Sequence, residues 1–312
     1  MKTVVIAIGG NSLITDAQHQ SVRDQFAAVV GTVRHITDLL EGGHRAVITH
    51  GNGPQVGFIL LRSEHSRGLL HEVPLDSIVA DTQGALGYQL QQALENEFRR
   101  RGLKKSVATV VTQTLVDRND AAFAKPSKPI GEFYTREQAG ERMRVEKWTM
   151  IEDAGRGWRR VVASPVPIRI IESKVVRDLV GNGYVVVAAG GGGIPVIADE
   201  NGLLSGVPAV IDKDLAAAVL AREISADLLV ISTSVEKVFL NFGEPAQRAL
   251  DSMTVAEARR YITEGHFKSG SMLPKIGACL QFIQNGGREA VITCPEKLSA
   301  ALDGHTGTRI VP

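Results

Sequence analysis

Short runs of β-branched and other apolar residues alternate along this chain with longer stretches whose apolar positions recur at helical spacing. The first pattern reads as strands and the second as amphipathic helices. Their alternation predicts an α/β fold with a largely parallel sheet. Strands are expected over 3–8, 45–49, 106–113, 184–189, 227–232 and 289–293. The runs from Val4 to Ile8 and from Tyr184 to Ala189 are almost continuously apolar, as strands covered on both faces should be. Helices are expected over 21–41, stopped by Gly42-Gly43, and over 75–101, stopped by Gly102. Further helices are expected over 168–180, 215–224, 254–264 and 274–284.

One segment breaks this rhythm. Between Thr114 and Pro167 the chain carries Pro126, Pro129, Pro165 and Pro167, many charges and two aromatic-basic clusters. It reads either as a long surface excursion or as a small subdomain inserted between two halves. A lid over the sheet is the preferred reading for an insert of this length.

Composition narrows the function more than the fold. The 312 residues include 35 Lys+Arg and 34 Asp+Glu, a formal net charge of +1. Nothing in that balance asks for nucleic acid or an anionic membrane, so a small molecule is the expected partner. No apolar run approaches the length of a membrane span, and the expected location is the cytoplasm. Cys279 and Cys294 are too few for a disulfide framework and lack CxxC spacing. No His/Cys/Asp cluster has zinc-ligand spacing, and no protein-held metal is expected.

Three glycine-rich turns follow directly on expected strands: Gly9-Gly10-Asn11-Ser12, Gly51-Asn52-Gly53-Pro54-Gln55 and Gly190 to Gly193. Ligands of an open α/β sheet bind at the carboxyl ends of its strands. Glycine there lets backbone N–H groups approach an anion. A tight βα turn explains one such loop equally well, but three on one edge favour a binding site. No GxxxxGK[ST] occurs, and Gly51, Gly53 and Gly57 give GxGxxxG, one residue off the dinucleotide fingerprint.

The lysines add chemistry. Asp212-Lys213-Asp214 opens one expected helix, and Lys275 sits in the first turn of another, behind Pro274. A cation in a first turn opposes the helix dipole, so two such lysines point to an anion between them. Asp214 can orient Lys213 or share in organising a metal ion, and as a helix-start acid it equally complements the dipole. Lys128, between Pro126 and Pro129, reads by itself as a surface lysine, although the flanking prolines could fix it over a pocket. His50, ending its strand beside a glycine loop, reads as a hydrogen-bonded structural histidine.

These segments, taken in order, resemble carbamate kinase, a branch of the amino acid kinase superfamily. The similarity runs through Ile8-Gly9-Gly10-Asn11, Thr49 to Gly57, Lys128-Pro129-Ile130-Gly131 and Glu152 to Val162. It continues through Gly190 to Gly193, Val210 to Asp214, Glu264 to Phe267, Ser271 to Lys275 and Thr306-Gly307-Thr308. The glycine loops are shared across the superfamily; the Lys128 motif and the Glu152–Arg160 run belong to this branch.

The resemblance implies a three-layer αβα sandwich with an open, mainly parallel sheet. It divides the chain into an N-terminal acyl-substrate half (1–183), with a protruding lid at 114–167, and a C-terminal nucleotide half (184–312). It also implies a homodimer that moves a phosphoryl group reversibly between carbamoyl phosphate and ADP. Lys213, Lys275, Lys128 and Asp214 are the implied catalytic residues. Gly9, Gly10, Asn11, Gly51, Asn52 and Gly53 would bind substrate, and Gly191, Gly192, Thr233, Ser234, Met272 and Lys275 would bind nucleotide. Mg²⁺ is expected mainly on the ADP or ATP phosphates. Departures from the family pattern at Ser12, Glu132, Ala163, Glu236 and Leu273 leave open a paralogue, or another kinase of the superfamily, acting on a different small acid.

Overall fold

Val4, Val5, Ile6, Ala7 and Ile8 are all fully buried, because this strand runs through the middle of a sheet covered on both faces. Val5 and Ala7 pack into one apolar layer, and Val4, Ile6 and Ile8 into the other. The computed structural model describes residues 1–312 apart from 10–12, 14–17, 154 and 269–270.

In chain order the first elements are β1 (Thr3–Ile8), α1 (Val22–Glu41), β2 (Arg45–His50), α2 (Gly53–His65), α3 (Leu75–Arg101) and β3 (Val107–Thr109). Next come β4 (Gln113–Val116), α4 (Ala121–Ala124), β5 (Lys128–Tyr134), α5 (Arg136–Val145), β6 (Thr149–Glu152), β7 (Trp158–Val162), β8 (Pro167–Ile170) and α6 (Ser173–Gly181). Then follow β9 (Val185–Val187), β10 (Ile194–Ala198), β11 (Leu204–Gly206), α7 (Lys213–Glu223), β12 (Leu228–Ser232), β13 (Val238–Leu240) and β14 (Arg248–Leu250). The last are β15 (Ser252–Thr254), α8 (Val255–Thr263), α9 (Met272–Gln284), β16 (Ala290–Thr293), α10 (Leu298–Leu302) and β17 (Thr308–Val311).

The main sheet has the order β15-β17-β16-β12-β1-β2-β9-β3. Every pairing in it is parallel except that of β16 with β17. One face is covered by α6, α7, α8 and α9, through residues such as Val176, Ala217, Tyr261 and Phe282. The other is covered by α1, α3 and α10, through Ile36, Leu90, Phe98 and Leu298. This is the expected αβα sandwich. The expected helix ends also have physical causes: Ser21 and Asp24 form a capping box on α1, and Gly102 closes α3 at φ 69°.

Three expectations need correction. The single strand over 106–113 is two strands in different sheets, because Thr112 is pulled out of line. Its N–H donates to Gln83 Oε1 and its carbonyl accepts from Gln83 Nε2 and from the Ile194 N–H. The helix expected from 168 begins only at Ser173, because 167–170 form β8, with Thr114 opposite Ile170. Third, Gly53 to Gln55, expected to end a glycine-rich turn, instead open helix α2 (Gly53–His65). Its Val56, Ile59 and Leu60 join Ile130, Val162 and Val210 in a separate apolar cluster.

A second sheet, β11-β10-β4-β8, leads into and out of the expected lid segment, and the strands between form a third sheet, β5-β7-β6. The Glu152–Arg160 run makes the β6–β7 hairpin. Asp153 accepts from Arg156 at 3.0 Å and Arg159 at 3.2 Å, and both guanidinium groups lie over the Phe133 ring. Arg160 stacks on Trp148 at 4.4 Å. The run thereby builds the platform on which β5 lies, with Lys128 opposite Val162.

Candidate active site

Parallel strands end at one edge of a sheet, so β1, β2, β9 and β12 deliver Gly9, Gly51, Gly190 and Thr233 to the same side. The loops are tied together directly. The Gly51 N–H donates to the Ile8 carbonyl at 3.2 Å, and Thr49 Oγ1 donates to the Ala189 carbonyl at 2.8 Å. Helix α3 holds them from behind. Asn52 Nδ2 donates to Thr82 Oγ1 at 2.9 Å, and Gln83 Nε2 donates to the Gly190 carbonyl at 3.2 Å. At Gly191, with φ 65°, an added Cβ would stand 2.0 Å from Asn52 Nδ2, so a side chain there is excluded twice over.

A cavity of about 300 Å³ opens between these loops. It is lined by Gly51, Asn52, Gly53 and Gly191 on one side and by Lys213, Asp214 and Lys275 on another, with Lys128 reaching it from β5. Two of the helices whose first residues line it, α2 and α9, have no side-chain cap on Asn52 or Ser271. Pro54 and Pro274 carry no N–H and the Leu273 N–H donates to the Lys268 carbonyl at 3.2 Å, which leaves the N–H groups of Gly53, Gln55 and Met272 for an anion.

Asp214 is the electrostatic centre. One carboxylate oxygen accepts from Lys213 Nζ and the other from Lys275 Nζ at 3.0 Å. The three side chains are 5%, 14% and 16% exposed for Asp214, Lys213 and Lys275. Burial opposes the Asp214 charge, but the two ammonium groups outweigh it and hold its carboxyl below the usual range. Burial likewise pushes the Lys213 ammonium below its usual range, against the pull of Asp214. Two lysines sharing one carboxylate leave an excess positive charge facing the cavity. Beneath the loops His50 is buried, with Nδ1 2.9 Å from the Gly51 carbonyl oxygen. Its burial lowers the imidazole pKa to about 4, so it is neutral and structural, as expected.

A second, smaller cavity is lined by Thr233, Ser234 and Met272 with Phe239, Phe242 and His266. Ser271 lines both cavities, so the two adjoin there. Of the residues grouped for nucleotide, Gly191 lies in the first cavity beside Asn52. Gly192 is buried against the Ile211 carbonyl. Gly9 follows β1 next to the Ser232 backbone, whereas Gly10 and Asn11 lie outside the described residues. Glu236, one of the departures, accepts from Thr306 Oγ1.

Sequence reasoning missed Thr82, Gln83, Thr112 and Thr114 as holders of the loops; Thr114 Oγ1 donates to the Gly192 carbonyl at 2.7 Å. These buried polar residues sit on α3, in β4 and in the link before it, within no motif, and only their depth singles them out. It also gave Asp212 no site role, although it pairs with Lys128.

Comparison with known proteins agrees with this arrangement. Residues 2–294 match the model of the amino acid kinase family. The chain is 53% identical to the carbamate kinase-like protein YahI of Escherichia coli, covering 99% of this chain and 98% of that protein. It is 50% identical to the carbamate kinase of Thermococcus kodakarensis, with coverage of 100% and 99%. The solved carbamate kinase of Giardia lamblia bound to AMP-PNP superposes with a TM-score of 0.93 at 40% identity, covering 99% of this chain and 98% of that one. Matched by the family model over residues 2–294 and 50% identical to a carbamate kinase over its whole length, the protein belongs to the amino acid kinase family, in its carbamate kinase branch.

Proposed function

We propose that the protein transfers a phosphoryl group reversibly between carbamoyl phosphate and ADP, giving ATP and carbamate. The observation that carries this reading is the Lys213–Asp214–Lys275 arrangement, set between glycine loops and next to the Thr233–Met272 cavity. Carbamoyl phosphate would lie against Gly51, Asn52 and Gly53, with Gly9, Gly10 and Asn11 beside it. ADP would lie along Thr233, Ser234 and Met272. An ADP terminal phosphate oxygen attacks phosphorus, the bond from phosphorus to the carbamoyl oxygen breaks, and carbamate leaves with that electron pair. Such a transition state spreads negative charge over the equatorial oxygens, and fixed positive groups lower its energy. Lys213 and Lys275 supply them, Asp214 keeps them in place, and the uncapped N-termini of α2 and α9 add backbone donors.

Mg²⁺ fits as part of the nucleotide substrate. Both Asp214 oxygens are engaged by lysines, and the Asp212 oxygens by Lys128 and the start of α7. Among the described residues no group of His, Cys, Asp and Glu could hold a metal ion. The nucleotide phosphates and water would therefore hold the ion, which supplies charge neutralisation there.

Residues 1–183 would serve the acyl substrate, with 114–167 as lid, and 184–312 the nucleotide. The family relation supports a homodimer, and the lack of a membrane-spanning helix among the described residues is in keeping with a cytoplasmic location. A second reading, a kinase of a different small acid, is favoured by the 53% identity to a protein named only as carbamate kinase-like. Coupled ATP formation decides between them. Turnover of carbamoyl phosphate with ADP, and little with acetyl phosphate or glutamyl phosphate, is the expected result. Faster turnover of either alternative would overturn the proposal.

A further inference from the structure

Asp212 lies at a junction of elements from the two parts of the chain. It is the N-cap of α7, and its Oδ1 accepts from the Asp214 N–H at 3.0 Å and the Leu215 N–H at 3.4 Å. Its Oδ2 faces the other way and accepts from Lys128 Nζ at 2.9 Å. Lys128 is the first residue of β5, and both residues line the cavity of about 300 Å³. One carboxylate thus caps the helix that carries Lys213 and Asp214 while gripping the lysine that arrives from the lid segment.

We infer that Asp212 is a positioning residue that holds Lys128 at the cavity and couples the lid strand to the start of α7. The inference rests on the proposed reaction with carbamoyl phosphate. An ammonium group has three N–H donors. One is committed to Asp212, which fixes its direction, and the other two remain for phosphate oxygens. The Lys128 side chain is 39% exposed and that of Asp212 18%, so without this bond little else restrains a flexible four-carbon stem. The same bond spans 84 positions of sequence and joins the first residue of β5 to the N-cap of α7. Its loss frees both the lysine and the strand that bears it.

Asp212→Asn separates this role from capping. Asparagine caps a helix about as well as aspartate, but its amide presents N–H groups to Lys128 in place of an acceptor. In Asp212→Asn, kcat/KM for carbamoyl phosphate is expected to fall about 10–100-fold, the size of effect that misplaced substrate-contacting groups produce. The KM for ADP should stay within about twofold, since that ligand lies in the adjoining cavity. In a Lys128→Ala background the same substitution should cost nothing further, the non-additivity of residues acting through one contact. Full activity of Asp212→Asn, or an equal loss with and without Lys128, would overturn the inference.

A readout independent of turnover keeps this distinct from the functional reading. Without any ligand, amide exchange over Lys128–Tyr134 should be faster in Asp212→Asn than in the wild type, and equally fast in Lys128→Ala. If the wild type exchanged no phosphoryl group with carbamoyl phosphate, the functional proposal would fail, and exchange alone would judge the role of Asp212. Unchanged exchange in Asp212→Asn would overturn it.

Discussion

A lysine near a phosphate is common chemistry; what distinguishes Lys213 and Lys275 is that one buried carboxylate holds both. Asp214 is 3% exposed as a residue and bonds each ammonium with a different oxygen. Removing either lysine deletes a charge that the proposed mechanism directs at the transferring group, and it leaves Asp214 unbalanced. Lys213→Ala and Lys275→Ala are each expected to lower kcat by about 10²–10³, the range for deleting one preorganised donor. The double variant should lose less than the product of the single losses, because the two lysines act through one partner. Steady-state kinetics on folded variants checks this, and near-normal turnover of either single variant would remove that lysine from the mechanism. The lysines and Asp214 were legible in the sequence because helix-opening cations are unusual. Asp212 was not, because an aspartate before a helix already has a sufficient reason to be there as a cap.

At the scale of elements, the glycine loops work because α3 braces them. Gln83 and Thr82 fix Gly190 and Asn52 from behind, and the left-handed Gly191 lets the loop pass over the Asn52 amide. Gly191→Ala forces a Cβ into that amide at a φ of 65°. It should lower kcat/KM by at least about 100-fold and destabilise the fold by about 1–3 kcal/mol. Gly31→Ala is the matched control. Gly31 is an exposed residue inside α1 with nothing within 4 Å of an added Cβ, so alanine should stabilise by about 0.5–1 kcal/mol without altering turnover. Equal behaviour of the two variants would show that the Gly191 loop geometry is unimportant. Helix α2 escaped the sequence reading because Gly51, Gly53, Pro54 and Gly57 signal a turn. The helix exists because Val56, Ile59 and Leu60 pack against Ile130 and Val162 of the sheet β5-β7-β6, partners 70 or more residues distant.

For the molecule as a whole, the site is inserted into the core, and its buried groups make folding depend on pH. Burial lowers the pKa of folded His50 to about 4, from an ordinary value of 6.5. Between those values the unfolded chain binds the extra proton, so stability rises with pH and is fully regained only above 6.5. The full contribution is about 3 kcal/mol, and lowering the pH from 7.5 to 5 should cost about 2 kcal/mol through this residue. Urea denaturation at both values, compared with His50→Asn, isolates it. An identical pH dependence in the variant would mean that His50 does not titrate as its burial requires.

The same scale separates what the sequence determined from what the tertiary structure decided. Strand cores such as Val4–Ile8, the end of α3 at Gly102 and the phosphate-seeking lysines follow from local rules: apolar runs, left-handed glycine, helix dipoles. The break at Thr112, the strand at 167–170 and the helix at 53–65 do not. Each is fixed by a distant partner, namely Gln83, β4 and the sheet β5-β7-β6 respectively. The pairing of Lys128 with Asp212 belongs to the same class. Local periodicity contains no term for a contact 84 residues away; only the closed fold supplies the geometry that makes such a contact favourable.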